Sequence, residues 1–137
     1  NNSAGCILDA EEKRTVMWVE GTAQRKLSIR SLTFKDGKAE IYHGGGIAIG
    51  GGAIVDLHLT IFLSNTATNG GGAIYAFGSS TVNTYGTTFS KNQASTGYGG
   101  DIYTIHIDHR KVKIKVKSKK DHEFIRNILN EKANLNI

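Results

Sequence analysis

The 137-residue sequence contains no proline, and only one cysteine, one methionine and one tryptophan. The absence of proline excludes a Pro-rich linker or a polyproline ligand segment. A lone Cys6 cannot close an internal disulfide and says little about redox compartment; it reads as a small core residue. No apolar run approaches the ~20 residues that a membrane-spanning helix needs. The chain opens at Asn1 with neither an initiator methionine nor an apolar leader. That beginning points to a removed targeting segment or to a piece of a longer protein. A secreted, cell-surface or organelle-lumen setting is therefore favoured over the cytoplasm.

Glycine, by contrast, is abundant, with 17 residues. They follow no strict three-residue period, which excludes a collagen-like repeat. No Gly-Lys-Ser/Thr ending follows them, so they do not form a phosphate-cradling loop. Their placement becomes regular when the chain is aligned on Phe34, Phe62 and Phe89, which lie 28 and 27 residues apart. Before each Phe runs an alternating stretch: Leu27-Ser28-Ile29, Val55-Asp56-Leu57 and Val82-Asn83-Thr84. After each come Gly37, Asn65 or Asn92, and then Ala39, Ala67 or Ala94. Glycines and an apolar residue close each unit: Gly44-Gly45-Gly46-Ile47, Gly70-Gly71-Gly72-Ala73-Ile74 and Gly99-Gly100-Asp101-Ile102.

Short alternating strands at a fixed period are the signature of a solenoid. Each strand is too short to stand alone and must pair with its counterpart one turn away. Phe34, Phe62 and Phe89 are then expected to stack inside the coil. Asn65 and Asn92 are expected to form an inward ladder at a bend, and Gly71, Gly72, Gly99 and Gly100 to turn the corners. A degenerate coil through Ile7, Val16 and Val19 precedes the first Phe, so about four coils are expected. The motifs Phe62-Leu63-Ser64-Asn65 and Gly71-Gly72-Ala73-Ile74 resemble the paired FxxN and GGA[ILV] motifs of chlamydial polymorphic outer-membrane protein repeats. Phe89-Ser90-Lys91-Asn92 repeats the first motif, while Gly99-Gly100-Asp101-Ile102 and the units at Phe34 and Gly45 depart from the pattern. The resemblance covers roughly residues 6–103. It implies a right-handed parallel β-helix, commonly at a surface and often adhesive, and it transfers no ligand site.

The last third differs. Residues 1–103 hold eight basic and eight acidic side chains, whereas residues 104–137 hold nine basic and four acidic, the whole net charge of +5. Ile105, Ile107, Val112, Ile114 and Val116 alternate as in a strand, with Lys111, Lys113, Lys115 and Lys117 on the opposite parity. Phe124, Ile125, Ile128 and Leu129 mark an amphipathic helix beginning near Asp121. The expected organisation is all-β: parallel β-helix coils over 1–107, then a basic strand and a capping helix over 108–137. A lysine-bearing edge and a covering helix protect an open solenoid end, and the lysine row can also engage an anionic surface.

Catalysis finds little support. Asp9, Asp36, Asp56 and Asp101 do not recur at one register, so no carboxylate pair for glycoside chemistry is formed. His106, Asp108, His109 and Arg110 cluster, but two ligands on one strand face are too few for a structural zinc. His43 and His58 read as surface histidines. Partial threonine ladders, Leu32/Thr60/Thr87 and Thr33/Ile61/Thr88, fall short of the regular array that ice binding requires. The sequence therefore points to a non-enzymatic structural or adhesive interaction module without metal or cofactor. Its expected partner is a protein or an anionic surface. Aromatics are not interleaved with the lysines, which disfavours nucleic acid, and no feature indicates a small-molecule substrate. Alternatives are an accessory or spacer subunit of a large, membrane-bound assembly and a β-helix carbohydrate-active enzyme.

Overall fold

The computed structural model describes residues 5–22, 26–41, 43–96, 99–108 and 111–116, the backbone alone for 104–108 and 111–116. It is a parallel β-solenoid. Among the described residues, fifteen short strands arrange themselves in four stacked sheets. The first strand, β1 (Ile7–Asp9), precedes three complete turns. The first turn holds β2 (Met17–Glu20), β3 (Lys26–Arg30), β4 (Thr33–Lys35) and β5 (Lys38–Ala39). The second holds β6 (Ile47–Gly50), β7 (Ile54–His58), β8 (Ile61–Leu63) and β9 (Thr66–Ala67). The third holds β10 (Ile74–Phe77), β11 (Thr81–Tyr85), β12 (Thr88–Ser90) and β13 (Gln93–Ala94). Then β14 (Ile102–Asp108) starts a further rung, and β15 (Lys111–Val116) pairs with it antiparallel. Two of the four faces therefore carry a fourth parallel strand, and the other two carry three.

Register follows the repeat. Leu8, Phe34, Phe62 and Phe89 occupy one row across β1, β4, β8 and β12. The Phe34 and Phe62 rings stack with centroids 4.7 Å apart at 6°, and Phe62 and Phe89 at 5.3 Å and 10°. These distances match the ~4.8 Å between paired strands, so one ring per rung fills the coil without a gap. Ile47 and Ile74, and Val55 and Leu57, complete the interior of the middle turns.

The corner after each phenylalanine explains the asparagines. Asn65 is fully buried. Its amide donates to Phe34 O at 3.0 Å, while its Oδ1 accepts from Gly37 N at 2.9 Å. Asn92 repeats the arrangement on Phe62 O and Asn65 N, each at 3.0 Å. The side-chain oxygens thus satisfy the Gly37 and Asn65 N–H groups that the turn withdraws from the strand ladder. Glycine is required where the chain next turns: Gly71 has φ +64°, and a Cβ on Gly72 would fall 2.4 Å from Gly100 O and 2.5 Å from Gln93 O.

Three expectations need correction. Cys6 is exposed: it precedes β1, which among the described residues has a paired strand on one side only. His43 is half-buried, with its ring 4.1 Å from Tyr75 in a stacked arrangement. Thr60 is fully buried, and its Oγ1 lies 3.0 Å from Thr87 Oγ1, so that threonine register is an internal ladder.

Candidate functional site

Interior residues of a solenoid explain the fold, and its outward faces are what a partner meets. The sheet ordered β2-β6-β10-β14-β15 has the most distinctive outer face. Along β10, Ile74 and Ala76 are buried while Tyr75 and Phe77 are partly exposed, which alternation assigns to opposite faces. The outward row at Tyr75 runs Trp18, Ala48, Tyr75, Tyr103. Glycine and alanine at the middle strand let the larger rings lie down over it. Ala48 is fully buried, and a Cβ on Gly50 would meet the Phe77 ring within 2.1 Å.

The result is a continuous aromatic cluster. Trp18 and Phe77 have centroids 6.0 Å apart at 59°, Phe77 and Tyr75 5.3 Å, and Tyr75 and Tyr103 5.7 Å. His43 stacks on Tyr75, and its Nδ1 is buried without a hydrogen-bond partner. Burial lowers the His43 pKa and raises that of Tyr75, so both are held neutral. Trp18, at the rim, remains 53% exposed.

The basic row begins at the far edge of the same sheet. Lys111, Lys113 and Lys115 on β15 are Cα partners of Asp108, His106 and Thr104, while Val116 partners Tyr103. The lysines therefore share the register of Ala76 and Thr104, the alternate one to the Tyr75–Tyr103 row, so the two features do not fall on one face of the sheet. Lys117, His109, Arg110 and the helix expected through Phe124, Ile125, Ile128 and Leu129 lie outside the described residues.

A second outward face, on β3, β7 and β11, is polar. Asp56 accepts from Lys26 Nζ at 2.6 Å and from Asn83 Nδ2 at 2.8 Å. The Lys26 hydrogen bond, then that of Asn83, holds the Asp56 pKa below its ordinary value, and the same pairing raises Lys26. Beside them Arg30, His58 and Tyr85 share a row, with the His58 and Tyr85 rings stacked at 4.6 Å. Among the described residues no group of three or more His, Cys, Asp or Glu is arranged to hold a metal ion.

Phe34, Phe62, Phe89, Asn65, Asn92, Gly71, Gly72, Gly99 and Gly100 belong to the interior and its corners, and none of them forms an outward site. The aromatic face was missed in sequence. Its available signal was the recurrence of Tyr75 and Tyr103 one period apart, directly after the apolar residue of each unit. No family model, curated protein or solved structure matches the chain.

Proposed function

We propose that the chain is a non-enzymatic interaction module that presents a rigid stacked-strand face to a protein partner, assisted by its basic C-terminal segment. The aromatic cluster around half-exposed Trp18 carries this reading. Aromatic side chains preset by packing lose little freedom on binding, and they are enriched among the residues that dominate interfaces. A basic segment beside such a patch would steer an acidic partner and make its binding salt-dependent. The likeness of Phe62–Asn65 and Gly71–Ile74 to polymorphic outer-membrane protein repeats agrees with an adhesive role. The test is affinity for a partner recovered by in-situ crosslinking. Trp18→Ala should weaken binding at least tenfold, or about 1.4 kcal/mol, with unchanged thermal unfolding. Equal affinity would remove the aromatic face from the account.

A carbohydrate-active reading rests on the polar face instead. Lys26, Arg30, Asp56, His58 and Tyr85 could bind an acidic sugar. Turnover of a polyuronide, abolished by His58→Ala, would support it over the interaction module.

A further inference from the structure

The outer face that carries the aromatic cluster does not stop at Tyr103. In the antiparallel pair of β14 and β15, Tyr103 is the Cα partner of Val116, Ile105 of Ile114 and Ile107 of Val112. Directly paired residues share a face, and Tyr75 and Phe77 are in turn the partners of Tyr103 and Ile105. One row therefore runs Trp18, Ala48, Tyr75, Tyr103, Val116 across five strands, and every position in it is apolar or aromatic. Phe77, Ile105 and Ile114 lie beside it. Exposure climbs along the row, from 4% at Tyr103 to 53% at Trp18. Strand β15 ends at Val116, in line with this row. Residues 117–137 follow from that point, and Phe124, Ile125, Ile128 and Leu129 give them the apolar stripe of a helix.

We propose that this segment is the cover of the aromatic face, with residues 121–132 laid as an amphipathic helix along the row and Phe124, Ile125, Ile128 and Leu129 against its rings. The dimensions agree. Strands β15 and β2 are four spacings apart, ~19 Å at ~4.8 Å each, and residues 121–132 in a helix rise ~18 Å. Residues 117–120 span up to ~13 Å, enough to carry the chain from the sheet edge onto its outer face. Trp18 separates this placement from a helix laid over the end of the last coil, because β2 is the strand of the sheet farthest from β15. The consequence for binding rests on the proposed partner using this same face: segment and partner then compete for one set of rings.

Trp18 is the only tryptophan, so its fluorescence reads the cover directly in the full chain. The parent should show Trp18 shielded from acrylamide to the same degree at every protein concentration. Ile125→Asp combined with Leu129→Asp places two charges in the stripe. That variant should shift Trp18 emission to longer wavelength, raise its quenching and tighten binding of the crosslinked partner. A second readout leaves the stripe intact: with Cys6→Ser and Lys132→Cys, an energy-transfer acceptor attached at position 132 should strongly reduce Trp18 emission. Shielding lost in the double variant with partner affinity unchanged would uphold the cover and remove these rings from partner binding. A parent Trp18 as open to acrylamide as in the double variant, shielding that grows with concentration and so comes from a second copy, or no energy transfer from Trp18 to position 132 would each overturn the proposal.

Discussion

The first and second turns follow the same plan, yet they are buried to different degrees. In the second, Ile47, Ile49, Val55, Leu57 and Phe62 are all fully buried. In the first, the row-mates Met17 and Val19 are only partly buried, and Leu27 is 40% exposed. Residue type scarcely differs between them. What differs is that, among the described residues, β6 to β8 have a neighbour on both sides, whereas β2 and β3 have one. In a solenoid, burial is a property of the stack, and a residue's energetic weight depends on its rung.

Substitutions along one row sharpen this comparison. Phe62 has a ring on either side, so Phe62→Ala should cost about 3–5 kcal/mol in chemical denaturation. Phe89, in the same row but only partly buried, should cost clearly less when changed to Ala. Equal losses would mean that the phenylalanines do not act as a stack.

The asparagine corner comes next. Asn65→Ala would strand Gly37 N inside the molecule and remove the side-chain donor to Phe34 O, for an expected loss of about 1–3 kcal/mol. Asn65→Asp should not restore it, because a carboxylate offers no N–H to Phe34 O. Full stability in either variant would remove the ladder from the account.

A smaller effect separates the outer aromatic cluster from the core. Burial lowers the His43 pKa in the folded state. The unfolded chain therefore binds the proton more readily, and His43 should withdraw stability as pH falls below its ordinary value of 6.5. The loss should level off below the folded pKa. Parent and His43→Phe should then diverge in melting temperature between pH 7 and 5, the variant losing less. Parallel curves would place His43 in water.

Legibility in the sequence tracks the same distinction. Phe34, Phe62 and Phe89 could be aligned because stacking demands the same side chain at each rung, and a 27–28-residue period survives in the letters. The asparagine ladder was legible for the same reason. Cys6 was misread because burial at an end strand depends on a neighbour that the local sequence does not encode. The face of Trp18, Phe77 and His43 was invisible because it does not repeat. Trp18, Ala48 and Tyr75 share a row while differing in size, and the large rings come to rest over the small residues between them. The antiparallel return of β15 also escaped notice, since one alternating pattern runs through both strands. The basic residues were plain as a composition, but their partners along β14 emerge only from the register.

The central claim is that the outer aromatic face around Trp18 makes the contact with a partner and that the basic C-terminal segment assists it. The most direct measurement is the affinity of the crosslinked partner, purified, for the parent and for a variant with Lys111, Lys113, Lys115 and Lys117 all changed to Gln. It should be made at low and at physiological salt, with thermal unfolding as the folding control. The account predicts strongly weakened binding, a flatter salt dependence and an unchanged melt. Affinity equal to the parent's at low salt, with new aggregation of the variant, would contradict it and leave the lysines only the task of guarding a strand edge.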